Sequence, residues 1–302
     1  MARSLLELVQ DAADELGIAR PSAVVTTTDQ QTLQLYALAT RCGQMLTAHT
    51  NWSALTKLFV LPLLAPTATT GTRTDASAVI TAIPSTTGLS VAYSVSGTGI
   101  PTGARVLTVD SATQVTLDMP CTATGTAVAV SFAKDTYDLP AGYRAVAPST
   151  QWDRTNAWQL QGPVSPQQYQ WLISGNVATG PRRKFRLQGQ KIVVWPAPTT
   201  DDTLITEYLS SYWVTTSAGV AKARFTLDND LTVFDDNLMV MGLKWLFFQA
   251  KGFEYTELRR QWLSQVSIVA ANDGGAATLD MTGARGWRYI GTQNVPETGF
   301  GA

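Results

Sequence analysis

Hydrophobic positions along the chain change their period several times, and each change marks an element. Leu5, Leu6, Val9, Ala13 and Leu16 fall on one stripe at helical spacing. Ser4 with Glu7 three residues on forms a capping box at its start, Gly17 stops it and Pro21 blocks continuation. A second helix is predicted from Thr28, with Gln31 completing a similar box. Its apolar face is Leu35, Leu38, Ala39, Cys42, Met45 and Leu46, and it ends near His49. Between residues 78 and 132 the period drops to two in short runs: AVITAI, VAYSV, RVLTV, QVTLD and AVAVSF. Further on, Ser165 and Pro166 open a short helix. KFRLQ and KIVVWP pair about Gln188-Gly189-Gln190, and TLITEYLSSYWVTT reads as a third strand. Asp235-Asp236 caps a helix running to Lys251, with Gly252 after it. Apolar side chains surround this helix almost completely, so it needs burial in a core or between subunits. A last helix spans about Tyr255 to Ala271 on the stripe Leu258, Trp262, Val266 and Val269.

Composition divides this string of elements. From Pro66 to Ala133 there is no Trp, Lys, Glu or His, whereas all nine tryptophans lie outside that segment. A segment sharing none of its host's heavy core residues reads as an insertion. The expected organisation is therefore a host of residues 1–65 and 134–272, an inserted β domain at 66–133, and an extended tail at 273–302. The expected fold class is α+β: a helical core with a small antiparallel sheet, plus the inserted all-β domain. The tail carries Trp287, Tyr289 and Phe300, and aromatics are scarce in disordered tails.

Charge and chemistry narrow the function. The 302 residues hold 22 basic and 23 acidic side chains, and charged residues make up only 15% of the chain, so a dedicated nucleic-acid binder is disfavoured. One histidine excludes multi-histidine metal sites and weakens Ser–His and Cys–His schemes. His49 itself reads as a packed helix-end residue. Cys42 and Cys121 read as reduced packing residues, because no CxxC exists. Asp228-Asn229-Asp230 begins like a calcium loop but lacks the Gly and Glu that such a loop requires at its sixth and twelfth positions, so it reads as a turn and helix cap. No phosphate loop and no nucleophile elbow is present. No signal peptide and no apolar run of ~20 residues is found, so a soluble protein without a membrane partner is expected. Enzyme activity and cofactors are not expected.

Several of these features occur together in one family. Arg182-Arg183-Lys184-Phe185-Arg186, Trp195-Pro196-Ala197-Pro198, Tyr212-Trp213-Val214 and the run from Gly242-Leu243-Lys244-Trp245 to Lys251-Gly252 resemble the head-to-tail adaptors of short-tailed phages. The likeness is to tail tubular protein A and to P22-like tail accessory proteins. It covers 1–65 and 134–290 loosely, and the segment 66–133 is similar to a small β module of phage structural proteins. The resemblance implies a virion protein of the neck, assembled in the host cytoplasm. It also implies a ring, dodecameric in the family, that lies below the portal protein, extends the DNA channel and docks a downstream nozzle or tail-tube protein. Genomic DNA would pass without being gripped. The candidate portal and subunit contacts are Lys244, Lys251, Arg259, Arg260, Arg285, Trp287, Arg288 and Tyr289. Two other readings remain: a tail or baseplate component whose β module contacts host glycan or capsid, and a virion-associated hydrolase built on the acidic clusters.

Overall fold

A computed structural model describes residues 3–174 and 183–274. Along the chain come α1 (Leu5–Leu16), α2 (Gln30–His49) and β1 (Thr56–Leu63). Six strands follow: β2 (Thr67–Arg73), β3 (Val79–Thr81), β4 (Ser94–Ser96), β5 (Val106–Ser111), β6 (Gln114–Leu117) and β7 (Gly125–Ala133). Then come β8 (Thr136–Asp138), β9 (Tyr143–Val146), β10 (Trp152–Asp153), β11 (Trp158–Gln159) and α3 (Pro166–Ile173). The chain continues with β12 (Lys184–Gln188), β13 (Lys191–Trp195), β14 (Asp202–Ser210), β15 (Val214–Thr215), β16 (Ala221–Lys222) and β17 (Leu231–Thr232). It closes on α4 (Asp236–Lys251) and α5 (Thr256–Asp273).

The expectation of a helical core with one small sheet is overturned. The strands assemble into four antiparallel sheets, and strand content (about 30%) matches helix content (29%). The physical reason is range. β1 pairs with β14 along its whole length, Thr56 opposite Leu209 and Leu63 opposite Asp202, although roughly 140 to 150 residues separate the partners. Local periodicity does not reveal such a partner. β9, β10 and β11 complete that sheet, and β8, β12 and β13 form a second one. The two sheets share one core of Leu61, Leu63, Tyr137, Leu139, Leu160, Phe185, Ile192, Val194 and Leu204.

The helices form a separate layer. Leu5, Leu8 and Val9 of α1, Leu35, Cys42 and Leu46 of α2, and Leu238, Met239, Leu243 and Leu246 of α4 are all fully or almost fully buried in it. Trp213, Phe225 and Phe234 join them from the small sheet β15–β17. α4 is thus buried on nearly every side within one chain, by α1, α2 and α5, and needs no neighbouring subunit for that purpose. Two glycines allow the close approach. A methyl group on Gly43 would lie 2.1 Å from the Trp213 ring, and one on Gly242 would lie 2.2 Å from Cys42 Sγ. The α2 start also differs from expectation, since the cap is Asp29, whose carboxylate accepts the Thr32 N–H at 2.8 Å.

β2 to β7 make one six-stranded sheet in the order β4-β7-β2-β3-β6-β5. An antiparallel bridge between Ser94 and Arg105 joins the two end strands, supported by Val95 N–H to Ala104 C=O (2.9 Å) and Val106 N–H to Tyr93 C=O (3.0 Å). The sheet therefore closes into a small barrel, which removes its edges. Ile80, Ile83, Val95, Val106, Val115, Leu117, Cys121, Val130 and Phe132 fill it.

Candidate assembly surfaces

The expected contact residues divide by location. Arg285, Trp287, Arg288 and Tyr289 lie outside the described residues. Lys244 sits midway along α4 and is paired with Glu15 of α1 at 2.5 Å, so its charge serves the helical layer itself. Lys251, Arg259 and Arg260 gather at the turn between α4 and α5, and all three are exposed. Gly252 in the left-handed conformation makes that turn (φ 77°), ending α4 where Lys251 complements the helix dipole. The Lys251 ammonium lies 5.2 Å from the Phe247 ring centre. Arg260 grips Glu257 with two bonds of 2.6 and 2.7 Å, which pulls that carboxyl down to about 2. Phe253, 58% exposed, stands in the middle of the turn against Phe248. The result is an exposed aromatic, Phe253, on a turn that carries these three cations together with Glu254 and Glu257.

The far end of α4 has the opposite sign. Between α1 and the first turns of α4 runs an open cleft of about 960 Å³, lined by Glu7, Asp11, Asp14, Glu15, Asp235 and Asp236. Arg3 lies in it, its guanidinium on Asp11 and its backbone N–H on Asp236. The Ser4 backbone N–H and hydroxyl hold the Glu7 carboxyl below the usual carboxylate range. Reading acids by clusters of sequence neighbours missed this face. The signal was available in the spacing Glu7, Asp11, Asp14 and Glu15, which puts four acids along one side of α1.

The acids singled out for chemistry are engaged in structure. Asp228 accepts the N–H groups of Val24 and Val25. Asp230 is fully buried and accepts from Thr226 N–H, Leu227 N–H and the Lys222 ammonium at 2.7, 2.9 and 2.9 Å. Their carboxylates brace loops, the segment is a turn, and the Asp230 and Asp228 carbonyls accept the first N–H groups of α1, those of Leu5 and Leu6, at 2.8 and 3.1 Å. Asp202 and Asp153 both bind Arg183, one member of the basic run at 182–184, in a buried cluster. Asp201 holds the Ala65 N–H at 2.7 Å. His49, the last residue of α2, is exposed, so the expected packing does not form. No group of three or more His, Cys, Asp or Glu side chains is placed to hold a metal ion among the described residues. No described helix is long and apolar enough to cross a membrane.

Two apolar features remain open to solvent. The outer face of β1 carries Leu58 and Val60, 61% and 49% exposed, beside a groove of about 650 Å³ that Ile205 also lines. Trp171 of α3 and Trp158 of β11 are exposed as well. The barrel offers no comparable aromatic: Phe132 is in its core and Tyr93 packs partly against that core.

A family model described as SU10 adaptor protein matches residues 104–286. The match begins inside the barrel, just before β5, the fourth of its six strands, and runs through β8 to β17 and α3 to α5. No curated protein matches the chain.

Proposed function

Because the chain belongs to the SU10 adaptor protein family, and so is a structural component of a phage virion, we propose that it is a head-to-tail adaptor of the neck. In this reading the copies form a ring beneath the portal protein, on the dodecameric pattern, and carry the next tail protein (nozzle or tail tube). The observation that carries the ring is the charge polarity of the helical layer. An acidic cleft lies at one end of α4, and at the other end stands Phe253 with Lys251, Arg259 and Arg260. Two different patches of complementary sign on one chain favour a head-to-tail contact, which gives a ring where its rotation closes and an open filament where it does not. An aromatic anchor with a charged rim also has the composition of an interface hot spot.

The remaining features agree with assembly work. The acids that could have served hydrolysis are consumed in backbone braces and ion pairs. A formal charge of −1 gives little grip on phosphate, so a channel formed by this chain lets DNA slide. The barrel, with a core of its own, reads as a module set into the adaptor.

Electron microscopy and mass photometry of the protein alone and with portal test the proposal. Rings on portal are expected for the unchanged chain. Lys251→Glu with Arg259→Glu is expected to abolish them while leaving the helical signal by circular dichroism intact. Adding Asp11→Lys and Asp14→Lys to that variant, which leaves the Asp235 cap of α4 in place, is expected to restore them. A monomer that never binds portal, or rings that survive the charge reversal, sinks the reading.

A further inference from the structure

The barrel meets the rest of the chain at a joint that apolar packing does not fill. The chain enters it through residues 64–66 and leaves it through 133–135. Both crossings are tied to the sandwich: Leu64 N–H to the Tyr137 hydroxyl at 3.3 Å, Ala65 N–H to Asp201 at 2.7 Å, and Val194 N–H to the Asp135 carbonyl at 2.8 Å. Between the barrel loop at 94–103 and Leu172, Ile173, Trp195 and Pro196 lies a cavity of about 280 Å³. The loop touches α3 through bare backbone, where a methyl group on Gly103 would fall 2.3 Å from the Ile173 carbonyl oxygen.

One side chain spans this joint. Arg105, at the start of β5, donates to the Asp135 carboxylate and to the Tyr169 hydroxyl (2.7 Å), and its other terminal nitrogen donates to the Ala92 carbonyl at 2.8 Å. Its backbone N–H is held by Asp118 at 2.7 Å, which fixes Arg105 to the barrel. Asp135 and Tyr169 are 1% and 6% exposed. The Tyr169 ring lies under two guanidiniums, Arg105 at 5.8 Å and Arg186 at 5.2 Å.

We propose that this cluster is a latch: Arg105 holds the barrel in one orientation on the sandwich, where Asp135 is fixed to β13, and the barrel swings about residues 64–66 and 133–134 once the guanidinium is released. Three observations carry it. The barrel keeps its own core, so a swing breaks no barrel strand. The joint holds a cavity where a fixed interface would hold side chains. The pairing across it is buried and directional, so losing one partner strands a charge that swinging returns to water. The inference does not depend on the adaptor reading.

Pulsed electron-spin distance measurement on the full chain tests the latch. Nitroxides are placed on Thr87→Cys in the barrel and Gln44→Cys on α2, both exposed positions. The native thiols report integrity, since Cys42 is buried in the helical core and Cys121 in the barrel. The unchanged chain is expected to give one narrow distance. Asp135→Asn is expected to lose it for a broad or two-peaked distribution, with both native thiols still protected. Tyr169→Phe removes only a hydroxyl and leaves the Arg105–Asp135 pair in place, so it is expected to keep the narrow distance. A narrow distance in Asp135→Asn with protected thiols overturns the latch, as does a broad distribution in the unchanged chain. Exposure of Cys121 in Asp135→Asn also overturns it, because the pair would then hold the barrel's fold and not its orientation.

Discussion

The smallest side chains set the closest tolerances in this molecule. Gly242 faces Cys42 Sγ and Gly43 faces the Trp213 ring, each at a distance no methyl group can share. Gly242→Ala overpacks the α2–α4 contact and is expected to cost about 1–3 kcal/mol in a urea melt, with Gly43→Ala at the upper end because the indole is itself buried. Alanines present the reverse case. Ala76, Ala82, Ala92 and Ala127 of the barrel all hold positive φ, between 50° and 70°. The left-handed region costs an L-residue roughly 1–2 kcal/mol, and glycine gives back about 0.5–1 kcal/mol through its unfolded-state entropy. Ala82→Gly is therefore expected to leave the melt unchanged or to raise stability by up to about 1 kcal/mol. Neither effect was legible in the sequence. Gly43 interrupts a good apolar stripe without saying what lies opposite, and an alanine in a Thr- and Ser-rich run does not announce its φ.

Elements were legible where their signals are local. The box at Ser4–Glu7, the Ser165 and Asp235 caps and the Gly252 stop all hold as hydrogen-bonded geometry, whereas the box expected at Thr28–Gln31 gives way to the Asp29 cap. The β12–β13 hairpin turns where the alternation put it. β10 and β11 escaped because two residues carry no period. β1 escaped for another reason: Leu58 to Leu64 is unbroken apolar sequence, and only the face bearing Leu61 and Leu63 is buried within the chain. The loop from Lys222 to Asp230 shows what the acidic triplet is for. Burial pushes Asp230 up, but the Thr226 N–H, the Lys222 ammonium and the Leu227 N–H outweigh it, so the carboxyl stays below the usual range. A depressed folded pKa contributes stability above the unfolded value, ~3.9, and that contribution is lost as pH falls through the folded one. Stability between pH 6 and pH 3 is expected to fall less steeply in Asp230→Asn than in the unchanged chain. At pH 6 the variant is expected to be weaker by about 3 kcal/mol, since Lys222 is left beside a buried neutral group. Parallel slopes in urea melts across that range would remove Asp230 from the account.

At the scale of the whole molecule, composition marked out two kinds of chain but not how the larger kind is layered. Nine tryptophans and most charges outside residues 66–133 suggested one helical host, whereas the host divides into a helical layer and a two-sheet sandwich. The sandwich was hidden because its strands are recruited from both sides of the barrel. With the barrel, the described residues form three cores that share no residue. This separation has a measurable consequence. Cys42 lies in the helical core, where burial pushes its thiol up to about 12, and Cys121 lies in the barrel core, where burial also raises it. Both thiols react only when their own core opens. The barrel joins its neighbours by two strand crossings and a polar cluster, so little apolar area couples its opening to theirs. Pulsed alkylation across a urea series, read by peptide mass, is expected to give two midpoints, one for each cysteine. Coincident midpoints would mean that the neck and the Arg105 cluster transmit cooperativity across the joint. A higher midpoint for Cys121 than for Cys42 would mean that the barrel stays folded while the helical layer yields, and the reverse order that the barrel opens first.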